Sequence, residues 1–264
     1  MDGPDPLSEI EFLARSANRI ETLAVLSEGA YTRRELGEEV DASQPTLGRV
    51  LRDLSKRDWI TYDGERYAAT ATGELVAEGI VDLHERLAVE GKLRPIVEYL
   101  PTDAMDVDLR HLADATVTTP TGTRPNAPLE RMLDLLRDTE QVRLVSHSFN
   151  RGKLDLLHER VIDGEMTARG VFTESAIDAV RSDPDLRVRL DAILDADPQA
   201  IRVTDDEVPL ALELTDDRVH LLLRDDEGIV RAALDTGDAV VWEWAEGVFE
   251  RFWTPAEPLV DRLD

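Results

Sequence analysis

The chain has 264 residues, with 56 Asp or Glu against 30 Lys or Arg, a net charge of −26, and 42% hydrophobic content. It has no cysteine, which excludes disulfides, zinc ribbons, thiol catalysis and cysteine-based metal or redox sensing. No apolar run approaches the ~18 residues of a membrane helix, and the acidic start Met1-Asp2-Gly3-Pro4-Asp5-Pro6 lacks the basic region of a secretory signal, so a cytoplasmic protein with no membrane partner is expected.

The length suits two cores, and the expected division is 1–92 and 93–264. Charge is uneven across that division: residues 1–92 hold 11 basic and 19 acidic side chains, the remainder 19 and 37. The first part is the less repulsive end for a polyanion, without being basic.

Ile10, Leu13, Ala14, Ala17, Ile20, Leu23 and Ala24 follow helical spacing, which predicts one amphipathic helix over 8–27, capped by Ser8 with Glu11 at the capping-box position. Thr32 and Glu35 form a second capping box for a short helix ending at Val40. Asp41-Ala42 is the turn, and Ser43 caps a third helix with Pro45 in its first turn, where a missing N–H costs nothing. That third helix is the most informative stretch. Leu47, Val50, Leu51 and Leu54 make one apolar stripe, while Pro45, Arg49, Arg52 and Lys56 fall opposite. From 43 to 57 there are four basic residues against Asp53 alone, a local charge of +3 inside a strongly acidic chain.

Trp59-Ile60-Thr61-Tyr62, Asp63-Gly64 and Glu65-Arg66-Tyr67-Ala68 predict a β-hairpin around a type I′ turn. Helix, helix, turn, helix, hairpin is the order of a winged helix-turn-helix, whose third helix enters the major groove while the wing reaches the backbone or minor groove. Double-stranded DNA is the partner this implies. Ser43, Gln44, Pro45 and Thr46 lie at the leading end of that helix; Gln44 and Thr46 are placed to read bases and Arg49 to pair with guanine. Arg52, Lys56 and the wing's Arg66 are assigned to phosphates, and Arg33 and Arg34 to the flanking backbone. Amphipathic three-helix segments also serve protein contacts, so an adaptor of the transcription machinery is an alternative.

Thr72 is expected to cap a helix from Gly73 to about Gly91 with Leu75, Val76, Gly79, Ile80, Leu83 and Leu87 on its apolar face. Such a helix serves a homodimer reading a palindrome, or packs on the protein's own core. From Leu112 the pattern becomes α/β: a strand at Ala115–Thr119, a helix at 128–138, a strand at Gln141–Ser146, a helix at Lys153–Asp163, a strand at Thr167–Thr173, a helix from Ser175 and another at 186–195. Strands alternating with helices imply parallel pairing. Hairpin strands follow at Ile201–Val203, Leu210–Leu214, Val219–Leu223 and Ile229–Leu234, separated by the acid runs Asp205-Asp206-Glu207, Asp216-Asp217 and Asp225-Asp226-Glu227-Gly228, then a helix at about 238–252. No Ca²⁺-loop spacing is present, so the acid runs are read as solvated turns and no metal or cofactor is expected. The fold class is α+β / α/β in two domains, a winged helix-turn-helix before an α/β sensor domain with a mixed sheet.

Open α/β sheets bind ligands at the carboxyl ends of their strands. That points to Ser146, His147, Ser148, Asn150 and Arg151 after one strand, Thr173 and Glu174 after another, and Arg124 in the Thr121–Asn126 loop, a set suited to an anionic or polyhydroxylated small-molecule effector. Loop polarity and helix capping are the plainer reading of the same residues.

Residues 8–92 resemble the winged-helix domain of archaeal transcriptional regulators, with Tyr67-Ala68-Ala69-Thr70-Ala71-Thr72-Gly73 at the wing-to-helix junction. Residues 112–252 resemble the effector domain named for a methanogenesis regulator and similar to phospholipase D-like folds, through Val142–Ser146, Gly170–Glu174 and Trp244–Phe252. Phospholipase D enzymes need His-x-Lys-x-x-x-x-Asp; none of His84, His111, His147, His158 or His220 has a lysine two positions on, so hydrolysis is not carried over and no catalytic residue is assigned. A hydrolase using His147 or His158 is the enzyme alternative. Only Lys56, Lys92 and Lys153 are lysines, and heavy carboxylate use with arginine resembles proteins of extreme halophiles, where molar salt shortens the Debye length to about 3 Å; an acidic mesophilic protein is the alternative. Taken together the resemblances imply a dimeric haloarchaeal DNA-binding transcriptional regulator under effector control, of the type linked to TrmB and to sugar or central-carbon genes.

Overall fold

The computed structural model describes residues 5–262, so the reading of Met1 to Pro4 as a non-secretory start lies outside the described residues. The chain divides into two compact units between Ala88 and Val89. In the first, the stretch expected as one helix is two, α1 (Pro6–Ala14) and α2 (Ala17–Glu28), broken where Ser16 is extended. The apolar stripe stays in phase across the break, which is why periodicity alone ran the two together. Asp5 caps α1, and the Ser8 hydroxyl donates to Asp5 from inside the helix at 3.0 Å instead of capping it. Glu11 pairs with Arg15 at 2.6 Å rather than completing a capping box.

The next two helices start as their caps dictate. Thr32 and Glu35 form the full capping box of α3 (Arg33–Glu39), and the Ser43 hydroxyl accepts from the Thr46 amide at the start of α4 (Gln44–Ser55). Leu47, Val50, Leu51 and Leu54 are buried against Leu23, Leu26, Leu36 and Trp59 in one core. The wing consists of β1 (Ile60–Tyr62) and β2 (Tyr67–Ala69), with Tyr31 bridged to Tyr67. Its turn is not the two-residue type I′ expected. Tyr62 pairs with Tyr67, leaving four residues in the loop, and the Asp63 carboxylate accepts both the Glu65 and Arg66 amides at 2.8 Å. Type I′ needs positive φ at two residues; here only Gly64 has it.

Helix α5 (Ala71–Leu93) follows directly. Thr70, not Thr72, serves its first turn: the Thr70 hydroxyl accepts from the Gly73 amide at 3.1 Å and donates to the Asp58 carbonyl at 2.6 Å. The Trp59 carbonyl accepts the Thr70 amide at 2.9 Å and lies so close to α5 that a Cβ on Gly73 would sit 1.8 Å from its oxygen. Backbone thus occupies the space of a side chain, and wing and helix are locked together. Val76, Ala77 and Ile80 pack into the first unit's core, whereas Leu75, Leu83 and Leu87 are exposed.

The second unit is a three-layer α/β/α arrangement on an eight-stranded sheet. In chain order its elements are β3 (Thr116–Thr118), α6 (Ala127–Arg137), β4 (Gln141–Ser146), α7 (Arg151–Ile162), β5 (Thr167–Thr173), α8 (Glu174–Arg181), α9 (Pro184–Ala196), β6 (Ile201–Thr204), β7 (Ala211–Leu214), β8 (Val219–Arg224), β9 (Val230–Thr236), α10 (Ala239–Trp253) and β10 (Glu257–Pro258). The strand order is β10-β6-β5-β4-β7-β8-β9-β3. Among the described strands, parallel pairing is confined to β4 with β5 and β5 with β6; β8 runs in the same direction as β4 without touching it. β3, expected to pair in parallel, instead runs antiparallel to β9 at the far edge, because the closing hairpins place β7, β8 and β9 between it and β4. Val142 and Leu144 of β4, Ala168 and Phe172 of β5, and Ile201 and Val203 of β6 face α6 to α9 on one side, while Val145 and Val171 pack with α10 on the other.

The acid runs are not merely solvated. Asp216 accepts the Glu140 and Gln141 amides, tying the β7–β8 turn to the start of β4. Asp225 pairs with Arg231 and Asp205 with Arg262.

A row of polar side chains crosses the sheet beneath α6 and α7. Glu213 lies opposite His220, and His220 opposite Asp235, so all three share one face. Lys153 from α7 ion-pairs with Glu213, both buried; Asp235 takes Arg131 at 2.9 and 2.7 Å and Arg218 at 2.8 Å. Burial pushes the Asp235 carboxyl up, but the two arginines outweigh it and hold it below the usual carboxylate range. Burial pushes the His220 imidazole down, so it sits neutral between these charges.

Two stability predictions follow from close packing and buried charge. Gly73→Ala is expected to destabilise the first unit by about 1–3 kcal/mol in urea denaturation. Lys153→Met, which strands the Glu213 carboxylate in the core, is expected to cost the second unit about 3–5 kcal/mol, with most of the loss recovered in Lys153→Met/Glu213→Leu.

Candidate nucleic-acid interface and ligand cavity

The helix-turn-helix positions its basic side chains in two distinct ways. Arg49, Arg52 and Lys56 are exposed on the outer face of α4, and among the described residues none of their side chains makes a hydrogen bond or ion pair. Pro45 shares that face. Thr46 is half-buried, with its hydroxyl 2.9 Å from that of Ser43.

The others are engaged within the protein. Arg33 donates to the Gln44 carbonyl at 2.8 Å, and its guanidinium lies where a Cβ on Gly48 would be 2.7 Å away, so it clamps α3 to the start of α4. The Gln44 amide lies over α3, where a Cβ on Gly37 would come within 2.7 Å. Arg34 pairs with Glu38 at 3.0 Å; the wing's Arg66 donates to the Ala30 carbonyl at 2.9 Å and lies 3.6 Å from Glu35. Arg57, one of the four basic residues counted in the local charge of +3, stacks with Arg19 on the Phe12 ring, at 3.4 and 3.9 Å from its centroid, and is fixed by Glu9. Arg57 therefore belongs to the packing beneath α4 rather than to its outer face.

In the second unit a cavity of about 470 Å³ opens at the carboxyl edge of β4, β5 and β8. Of the residues assigned from the strand-end rule, His147 and Thr173 line it. Others serve the local backbone. Ser146 is buried and exchanges hydrogen bonds with the Ser148 backbone at 2.8 and 3.2 Å. Asn150 caps α7 through the Lys153 amide, and Thr173 caps α8 through the Ala176 amide. Arg151 pairs with Asp183 and Arg124 with Glu130, each at 2.6 Å; neither they nor Glu174 line the cavity.

The cavity brings in residues that the sequence does not assign to a ligand site: Tyr99, Ser175, Glu207, Arg224 and Asp226 over an apolar floor that includes Val208, Leu210 and Leu222. Arg224 is half-buried. It donates from one Nη to the Gly228 carbonyl at 2.7 Å, while its Nε is buried without a partner. The neighbouring Asp225 turns away to Arg231. Nδ1 of His147 is likewise buried without a partner. Burial pushes the His147 imidazole down, the Arg224 charge adds to that, and the Val208 backbone opposes both.

The two units thus define a winged helix-turn-helix followed by a mixed α/β sheet domain. Residues 7–92 match the family model of the HVO_A0261 N-terminal domain, and residues 125–255 that of the middle domain of methanogenesis regulatory protein FilR1. No curated protein matches the chain. Among solved structures it is similar to TrmBL2, described as an archaeal chromatin protein with a novel mode of DNA binding (17% identity, 94% of this chain and 98% of that one, TM-score 0.42). It is also similar to Nuc, a phospholipase D family member from Salmonella typhimurium (11%, 54% and 97%, 0.41), and to the adhesin competence repressor AdcR from Streptococcus pyogenes (21%, 33% and 74%, 0.27). No helix among the described residues is long and apolar enough to cross a membrane.

The contrast between clamped and unpaired arginines is measurable without DNA. Arg33→Ala is expected to lower the first unit's stability by about 1 kcal/mol, whereas Arg49→Ala and Arg52→Ala should stay within about 0.5 kcal/mol of the parent, read from urea midpoints at unchanged slope.

Proposed function

We propose that the protein is a DNA-binding transcriptional regulator, acting in the cytoplasm as a homodimer, whose second unit takes a small-molecule effector. The observation that carries this reading is the unpaired cationic face of α4. Carboxylates outnumber basic residues 56 to 30, yet Arg49, Arg52 and Lys56 stand exposed without an acidic partner on the helix that a winged helix-turn-helix lays in the major groove. Thr46 and Arg49 are best placed for base edges; Arg52 and Lys56 suit phosphates. The exposed Leu75, Leu83 and Leu87 on α5 support a helix-to-helix dimer contact. An effector that binds one conformation of the dimer better than another would change operator affinity.

Generic charge attraction contributes little, because the first 92 residues are themselves net acidic and phosphate-contact affinity falls steeply as salt rises. Specific contacts and dimerisation must therefore supply the affinity. The enzyme alternative lacks support from the cavity, where His147 has no carboxylate bonded to it and no hydroxyl held by its ring.

Genomic fragments recovered with the protein from cells give the operator for a binding assay. Arg49→Glu/Arg52→Glu is expected to reduce operator affinity at least 100-fold while leaving the circular dichroism spectrum intact. Unchanged affinity in that variant would remove α4 from the DNA contact.

A further inference from the structure

We infer that the effector carries a compact oxyanion group, a phosphate or a carboxylate, that docks between Arg224 and His147 at the carboxyl edge of the sheet. This rests on the reading of the second unit as a ligand-binding domain and goes beyond it by naming the ligand's chemistry and the residues that select it.

Three observations converge. The first is Arg224, a half-buried guanidinium with no carboxylate partner in a chain whose surface is crowded with carboxylates. The nearest one in sequence, Asp225, is committed to Arg231 and to the Glu227 and Ile229 amides. The second is that Nε of Arg224 and Nδ1 of His147 are both buried and unpaired at the same cavity. A buried donor without an acceptor is costly, and unlike the core nitrogens of His220 these two sit at an open cavity where a ligand oxygen can reach them. The third is the surroundings. The Thr173 and Ser175 hydroxyls, hydrogen-bonded to each other at 3.1 Å at the first turn of α8, line the same space, and the pair offers one further donor. A guanidinium, an imidazole and the hydroxyl pair match the several oxygen lone pairs of a phosphate or a carboxylate.

The rest of the cavity sets what the anion is attached to. Tyr99, Val208, Leu210 and Leu222 form an apolar wall, and Glu207 and Asp226 are exposed at the rim with Asp225 beside them. Those carboxylates accept hydrogen bonds and repel a second negative charge. The ligand is thus a single-headed anion, with any hydroxyl or amino groups pointing to the rim.

Binding also takes up a proton. The groups facing His147 across the cavity are Arg224 on β8, the Tyr99 phenol, the hydroxyls of Thr173 and Ser175, and the carboxylates of Glu207, Asp225 and Asp226. The imidazole is held neutral by burial and by Arg224. An anion placed between the two cations reverses that balance, so affinity rises as pH falls through the ordinary histidine range of about 6.5.

Sulfate, a dianion that does not titrate in this range, is the probe, added to the full chain at ionic strength held constant with chloride and followed by calorimetry. One saturable site is expected. Its affinity should rise several-fold from pH 8 to pH 6, fall at least tenfold in Arg224→Met, and lose its pH dependence in His147→Gln. Arg224→Lys, which keeps the charge but not the fork, should bind at intermediate strength, and His147→Gln makes the same test if Arg224→Met does not fold. Absence of saturable binding, or equal affinity in the parent and folded Arg224 variants, overturns the assignment. A screen of neutral and anionic metabolites separates the two levels: a neutral ligand whose affinity is unaffected by Arg224→Met preserves the effector domain and rejects the anion site. If no metabolite of either kind binds, both readings fall.

Discussion

Charge scarcity is the constraint on which this structure depends. With 56 carboxylates and 30 basic side chains, cations are the limiting partner, and most arginines are committed to holding the fold. Arg131 and Arg218 share Asp235, Arg262 joins Asp205 and Glu257, and Arg57 fixes Glu9 beneath α4. Against that background an arginine left without a carboxylate is informative. Among the described residues Arg33, Arg169 and Arg202 also lack a carboxylate but are engaged by a backbone carbonyl or the Trp253 ring; the outer face of α4 and the cavity beside β8 are two of the places where such a guanidinium stands open. Both are where a negatively charged group from outside would complete the pairing.

The buried row from Lys153 to Arg131 follows the same logic in the core. Glu213, His220 and Asp235 sit on adjacent strands, and the two carboxylates are tolerable because α7 and α6 deliver a lysine and an arginine onto them. Such pairs contribute little net stability compared with apolar residues, but they fix which helix lies over which strand. Electrostatic matching here specifies position more than it adds stability.

The parts of the fold that were legible in the sequence are those set by local chemistry. Thr32 with Glu35 and Ser43 with Thr46 start their helices through side chains three residues apart, so α3 and α4 could be read directly. The break at Ser16 could not, because the apolar stripe continues in phase through it. The wing turn was misassigned because Asp63 closes its own loop through its carboxylate, an option the Asp-Gly pair does not reveal. Strand pairing is non-local, and β3 was therefore placed beside the wrong partner. The same limit explains the missed Arg224. The strand-end rule was applied to β4 and β5, where a helix follows, but β8 belongs to the hairpin region and its end reaches the same edge only through the sheet order. The short pattern Leu221-Leu222-Leu223-Arg224, a buried strand ending in a cation, was the available signal.

The ends of the sheet carry a consequence for behaviour in concentrated solution. Like charges keep acidic proteins apart only while their repulsion reaches beyond the surface, and molar salt shortens that reach to about 3 Å. An exposed strand edge then becomes a template for pairing with another molecule. Here the edge strands are β10, two residues ending at Pro258, which has no N–H to offer, and β3, three residues long with Pro120 just beyond it. Blunted edges of this kind disfavour strand-to-strand pairing by backbone geometry, a protection that salt does not erode.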